Sequence, residues 1–416
     1  MNIYLRNICL AVLLCTDVAQ GQSDGLVRQL CRNAIRLDST HLSGDENAGK
    51  IRQLIGTNFR VLGIGEQSHG TSEFFTARTM FLKALGIDHT LTKIGLEAPM
   101  AEVDKLNDYL RGGQGDLKAI LRSFRLYGYE CREFAELVND VRRINQGRRE
   151  YLVFFGFDMQ SPFQSLQNIL GSGVTGEAAD SLKKLLHYYS LLNDEIYNHR
   201  FSEADFADLK KTSELIFNQL DARLAEDSVV RKNIANYRQF LLLNDPARGY
   251  DGRVLAEIRD SLMAENILSE MKPGEKMVVL AHNAHLQKTP NIFSKSVGFF
   301  LARNLKSGYR CVGLTTSAGS YTTFNPKAGA ITDGNEVKAG DATTFEHYLS
   351  QVNSPVFAFE TSPLMQKPPA AQLPRRYRLL VYGLAREQFF EGNLLDDFDY
   401  VLHFRQTSGN RSFYLK

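Results

Sequence analysis

The sequence predicts an α/β fold: a central, largely parallel sheet flanked by helices, with a helical insertion. Short apolar runs alternate with longer segments of helical periodicity, the order expected when crossover helices join parallel strands. The runs are nearly continuous in apolar residues, as in a sheet buried on both faces. The stretch 176–271 breaks this alternation and reads as helical throughout.

Residues 1–21 read as an export signal. Arg6 precedes the apolar run 8–15, and Ala19 and Gly21 supply small residues for cleavage before Gln22. That run is well short of the ~20 residues a spanning helix needs. Cys15 follows Leu14 where a lipidation site wants a small residue, so a cleaved signal and a periplasmic or secreted location are expected rather than a lipid anchor. The first strand is expected at 59–65, leading into a helix over 72–85. A second strand at 93–96 is followed by helices over 101–109 and 132–144, and a third strand at 151–157. Within 176–271, Leu182, Leu185, Leu186 and Tyr189, then Leu209, Leu215, Ile216 and Leu220, then Tyr237, Phe240 and Leu241 recur at helical spacing. These are amphipathic helices, either a lid over the site or a layer packed on the sheet. They divide the α/β core into 22–175 and 272–416. The fourth strand, 276–281, follows, with further strands expected at 356–359, 379–382 and 400–403.

A chain of 416 residues has room for two or so structural units and a large core. A net charge of +2 gives no electrostatic reason to expect nucleic acid or an acidic membrane as partner. Of five cysteines, two lie in the signal segment; Cys31, Cys131 and Cys311 form no C-x-x-C pair. They exclude a disulfide scaffold or zinc ribbon and are expected to be buried thiols.

Chemistry collects where strands end. The four core strands run into Glu66, Glu97, Asp158 and His282. In parallel strands these residues share one carboxyl edge, where α/β proteins build their sites. Glu66 and His69 stand in one glycine-flanked loop, close enough for the carboxylate to orient an imidazole that takes a proton from water near neutral pH. A second cluster, His282 and His285, follows the fourth strand. A serine nucleophile is not expected: the one G-x-S-x-G, residues 21–25, lies at the signal junction with no strand before it. Glu66, His69, Glu97, His282 and His285 are also metal-ligand types. A divalent metal therefore stays open, although no H-E-x-x-H is present and no resident cofactor is expected.

Several segments together resemble the erythromycin esterase family: Gly65-Glu66-x-x-His69-Gly70-x-x-Glu73-Phe74, the Glu97 strand end, Phe155-Gly156-Phe157-Asp158-x-Gln160, Arg259-Asp260-x-x-Met263-Ala264-x-Asn266, and Ala281-His282-Asn283-Ala284-His285. The likeness runs in order from about residue 50 to Phe398-Asp399. It implies hydrolysis of a lactone or carboxylic ester, with macrolide ring opening, and so antibiotic inactivation, as the leading substrate. His69 would be the general base and Glu66 its orienter. Glu97, Arg78, His282 and His285 would hold water or the oxyanion, with Glu73 and Asp158 in support. The family's Trp-x-Thr-x-Glu stretch is replaced by Tyr129-Glu130-Cys131-Arg132-Glu133, and the insertion shows little that matches. The resemblance therefore speaks more for ester hydrolysis than for macrolides. The alternatives are a metal-dependent hydrolase on the same residues and an exported iron- or haem-binding protein.

Overall fold

A computed structural model describes residues 25–192, 199–224, 228–249, 251–366, 373–380 and 383–415. The expected signal and residues 381–382 lie outside these. The strands in chain order are β1 (Ile35–Arg36), β2 (Val61–Ile64), β3 (Leu91–Pro99), β4 (Val153–Asp158), β5 (Lys276–Leu280), β6 (Tyr309–Asn325), β7 (Ala330–Val337), β8 (Val356–Glu360), β9 (Arg376–Arg378), β10 (Phe389–Glu391) and β11 (Tyr400–Thr407). One sheet has the order β1-β8-β11-β6-β2-β5-β3-β4, with β7 pairing β6. From β11 to β4 every pairing is parallel. β8 and β1 extend it antiparallel. The expected α/β class and largely parallel sheet are what the structure shows.

Strand alternation gives each face its own core. Leu62, Ile64, Ile94, Leu96, Val278 and Leu280 pack beneath the helices Ser72–Leu85 and Arg132–Gln146. Val61, Met277 and Val279 face the helices Gly252–Ser269 and Val297–Leu305. Helices thus cover both faces of the four strands whose ends the sequence singled out.

Some expected elements differ in extent. The helix expected over 101–109 is split into Met100–Val103 and Lys105–Leu110. β6, 17 residues long and central in the sheet, carries Thr315-Thr316-Ser317 in its middle, so its apolar signal is weak. Of the strand expected at 379–382, Leu379 and Leu380 form none; β9 ends just before them, at Arg378, and pairs with β10 in a separate two-stranded sheet. Leu380 leaves the ladder because its backbone is taken elsewhere: its N–H donates to Gln67 O at 3.0 Å and its carbonyl accepts from His282 Nε2 at 2.9 Å.

The insertion's hydrophobic cluster begins before residue 176, taking in Leu166 and Ile169, and runs through Leu182, Tyr189, Leu209 and Ile216 to Tyr237 and Phe240. The helix Gly252–Ser269 belongs with the sheet, since its Met263, Ala264 and Ile267 pack among sheet residues. Polar contacts join the insertion to the core: Asn236 Nδ2 to Ser165 Oγ (2.7 Å), Gln239 to Asn266 (2.9 Å) and Lys232 to Asp104 (3.4 Å).

At this junction Glu102 is buried, and its Oε1 accepts from Ser161 Oγ at 2.7 Å. Burial pushes its carboxyl up to about 7, against the opposing pull of that hydrogen bond. A carboxyl raised on folding keeps its proton, so the native state loses stability as pH rises from the ordinary carboxylate range through about 7. Glu102→Gln retains the acceptor and removes this loss. Its urea midpoint at pH 8 should exceed wild type by the equivalent of about 1–3 kcal/mol, with the gain vanishing near pH 4. An equal midpoint difference at both pH values would show that Glu102 is ionised without penalty.

Candidate active site

β2, β5, β3 and β4 are sheet neighbours in that order, so Glu66, His282, Glu97 and Asp158 come to one edge. The loop after β2 can hug its neighbours because it carries glycine. A Cβ at Gly65 would lie 1.9 Å from Asn283 Oδ1, and one at Gly70 would lie 1.7 Å from Thr322 O. Asn283 in turn bonds this loop and β6, its N–H donating to Glu66 O (2.8 Å) and its Nδ2 to Leu314 O (2.8 Å).

Glu66 is buried, with both oxygens committed. Oε1 accepts from His69 Nδ1 at 2.9 Å and Oε2 from Arg78 Nη1 at 3.0 Å. Donation from Nδ1 leaves the lone pair of a neutral His69 on Nε2. The His69 side chain retains 14% exposure, whereas Glu66 has 3%. Arg78, on the Ser72–Leu85 helix, is fully buried, and its Nη2 donates to Ala281 O at 2.8 Å. It therefore anchors the Glu66 carboxylate to the end of β5. Losing either partner of such a buried pair costs about 3–5 kcal/mol.

The two histidines after β5 have opposite fates. His282 caps the short helix Asn283–Leu286, its Nδ1 accepting from Ala284 N at 3.1 Å. Its Nε2–H is shared between Gln67 O and Leu380 O, each at 2.9 Å. Burial, then the charge of His69, pushes it down to about 4. It is a neutral ring with both nitrogens used, and it lies 5.1 Å from the His69 ring, centroid to centroid. His285 points the other way. Nδ1 donates to Asp260 at 2.9 Å and Nε2 lies 3.3 Å from Glu97 Oε1. Burial alone would lower it, but the charges of Asp260 and Glu97 prevail and lift it to about 10. His285 is an imidazolium at neutral pH.

Glu97 ties the second cluster together. Oε2 accepts from the His282 backbone N–H at 2.8 Å; Oε1 faces His285 and, at 3.5 Å, Arg259 Nη2. Burial favours its protonation, yet the charge and hydrogen bond of His285, with the charges of His69 and Arg259, hold it well below the usual carboxylate range. Arg259 is gripped by Asp158 through Nε (3.2 Å) and Nη2 (2.5 Å), with Gln160 Oε1 at 3.2 Å.

The structure thus brings Glu66, His69 and Arg78 into one cluster and Glu97, His285, Asp158, Arg259 and Asp260 into another, with His282 between them. Glu73 stands apart and bonds Ser408. Arg259 and Asp260 were legible only as part of a motif, because their partners are distant in sequence. Among the described residues no three His, Cys, Asp or Glu side chains are placed to hold a metal ion, and the three described cysteines are free thiols.

A family model described as Erythromycin esterase matches residues 88–407. Erythromycin esterase type II of Escherichia coli is 24% identical over 311 residues, covering 67% of this chain and 73% of the relative. The type I enzyme of the same species is 25% identical over 307 residues, covering 65% and 73%. Three solved structures share the fold. A protein from Bacillus cereus has a TM-score of 0.79 at 18% identity, covering 94% of this chain and 99% of its own. A succinoglycan biosynthesis protein has 0.77 at 20%, covering 93% and 98%. A histidine-to-asparagine variant of the erythromycin esterase EreC, in its open conformation, has 0.69 at 20%, covering 92% and 99%.

The two histidines after β5 bias stability in opposite directions. His282 is lowered on folding, so its contribution is complete above the ordinary imidazole pKa of ~6.5 and is lost as pH falls through about 4. His285 is raised, so its contribution is complete below that ordinary value and is lost as pH climbs through about 10. Urea midpoints should therefore decline between pH 7 and 10 in the wild type and much less in His285→Gln. An unchanged alkaline slope in that variant would show that His285 is not the charged group.

Proposed function

The chain belongs to the erythromycin esterase family, and from that premise we propose that it hydrolyses a carboxylic ester or lactone with water activated by His69. The observation that carries this reading is the buried Glu66–His69 pair, braced by Arg78, at the carboxyl edge of the sheet. With its Nδ1–H given to Glu66, His69 can take a proton from water at Nε2. The water oxygen bonds the ester carbonyl carbon and the carbonyl oxygen becomes an oxyanion. His285 and Arg259, which stand beside Glu97, are the donors assigned to meet that charge. Collapse breaks the bond to the leaving oxygen, which takes the proton back from His69, releasing acid and alcohol with no covalent enzyme intermediate.

The same donor chemistry argues against metal ligation by the two histidines after β5. His282 has spent both ring nitrogens, and His285 is protonated between two carboxylates, so neither offers a lone pair. The leading substrate is a macrolide lactone, by analogy with the E. coli relatives, whose identity of 24% and 25% also admits another ester.

Erythromycin incubated with the signal-free chain should gain one water by mass spectrometry, equally with and without a chelator. His69→Ala, folded by circular dichroism, should be slower by about 10²–10⁴-fold. Activity lost with chelator would move the chemistry onto a metal, and undiminished activity in His69→Ala would remove His69 as the base.

Export belongs to the same proposal, on the strength of Arg6, the apolar run 8–15 and the Ala19-x-Gly21 junction. N-terminal sequencing of chain recovered outside the cytoplasm should begin at Gln22; an intact Met1 would refute cleavage.

A further inference from the structure

Gln67 stands between the carboxylate and the imidazole of the proposed dyad, yet its side chain turns away from them into the protein. It is fully buried, with both amide hydrogens donated and the amide oxygen accepting. Nε2 donates to Glu346 Oε1 at 3.0 Å and to Arg378 O at 3.1 Å, while Oε1 accepts from Thr316 N at 3.0 Å. Its own carbonyl accepts from Leu380 N at 3.0 Å and from His282 Nε2 at 2.9 Å. Glu346 and Arg378 come from a region some 280 to 310 residues later in the chain and are themselves buried. Glu346 Oε1 also accepts from Arg378 N at 2.8 Å, and the Arg378 guanidinium donates to the carbonyls of Thr316 and Lys338.

We infer that Gln67, Glu346 and Arg378 form a positioning unit that sets where His69 stands. This rests on His69 being the base. Three observations carry it. Donors and acceptors around the Gln67 amide are distinct, so only one orientation satisfies it. The unit spans both walls of the loop, because the chain that receives the amide also supplies Leu380, which binds Gln67 O and His282. Finally, the groups that receive the amide are themselves held, since both are buried and Glu346 Oε1 is bonded to the Arg378 backbone N–H. Any shift of Gln67 is inherited by Glu66 one residue before it and His69 two residues after, and the His282 ring that rests against His69 moves with Gln67 O.

The test reads His69 directly, without substrate, in the full mature chain with ¹⁵N-labelled histidine. At a pH where the ring is neutral, wild type should show one tautomer protonated at Nδ1, assigned by its loss in His69→Asn. Gln67→Ala should show averaged nitrogen shifts for His69. The buried His403, held by Thr315 and Ser317, should keep its own signals as the report of an intact fold. With erythromycin as the probe, kcat should fall about 100-fold with KM nearly unchanged, as for a small misplacement of a reacting group. Glu346→Gln keeps the acceptor at Oε1 and should leave the His69 tautomer as in wild type. If Gln67→Ala loses the His403 signals, Gln67→Asn, which only shortens the reach, takes its place. Wild-type His69 shifts in a folded Gln67 variant would overturn the positioning role. Undiminished turnover in His69→Ala would instead overturn the base, and the nitrogen shifts would still decide the positioning.

Discussion

A carboxylate removed from water must find its charge answered inside the protein, and Glu97 is where that demand organises the site. It sits at a bulge near the end of β3, where register with β4 shifts between Leu96 and Pro99. Its two oxygens draw in the backbone N–H of His282 from β5, the imidazolium of His285 and the guanidinium of Arg259. Each recruited cation then needs its own anion in a poorly solvated place, and Asp260 and Asp158 supply them. The result is an alternating chain of charges running from one strand end to the next.

The same logic separates three histidines of identical chemistry. His282 is surrounded by two carbonyls and one N–H, partners that suit a neutral ring. His285 is flanked by two carboxylates, which suit only the charged one. His69 has one carboxylate at one nitrogen, shared with Arg78, and keeps contact with solvent. His69 thus differs from the other two in its partners and in its access to solvent.

The strand ends were legible in the sequence because a buried parallel strand is a run of apolar residues, and an ionisable residue at its end is conspicuous. That principle located Glu66, Glu97, Asp158 and His282 and placed them on one edge. It could not supply partners. Asp260 and Arg259 sit on a helix whose periodicity reads as an amphipathic surface, and Glu346 and Arg378 meet Gln67 from the far end of the chain. β6 escaped notice for a related reason. Its central threonines and serine bond His403, Thr407 and neighbouring carbonyls, so polar residues fill an interior strand. The strand expected at 379–382 shows the same limit: Leu379 and Leu380 have strand composition, but His282 and Gln67 claim the backbone of Leu380.

The architecture also separates what reacts from what selects. The dyad stands on the loop after β2, and its charge chain on strand ends and helices packed into the two cores of the sheet, where interdigitated side chains resist displacement. The insertion's cluster is separate from the two that line the sheet, and Gln239 and Lys232 tie it to Asn266 and Asp104. Polar contacts of that kind are worth about 1 kcal/mol each, far less than the packing within either body. Sequence in the insertion can therefore drift without disturbing the geometry at the strand ends. That is a physical reason for the geometry at the strand ends and the sequence of the insertion to vary independently.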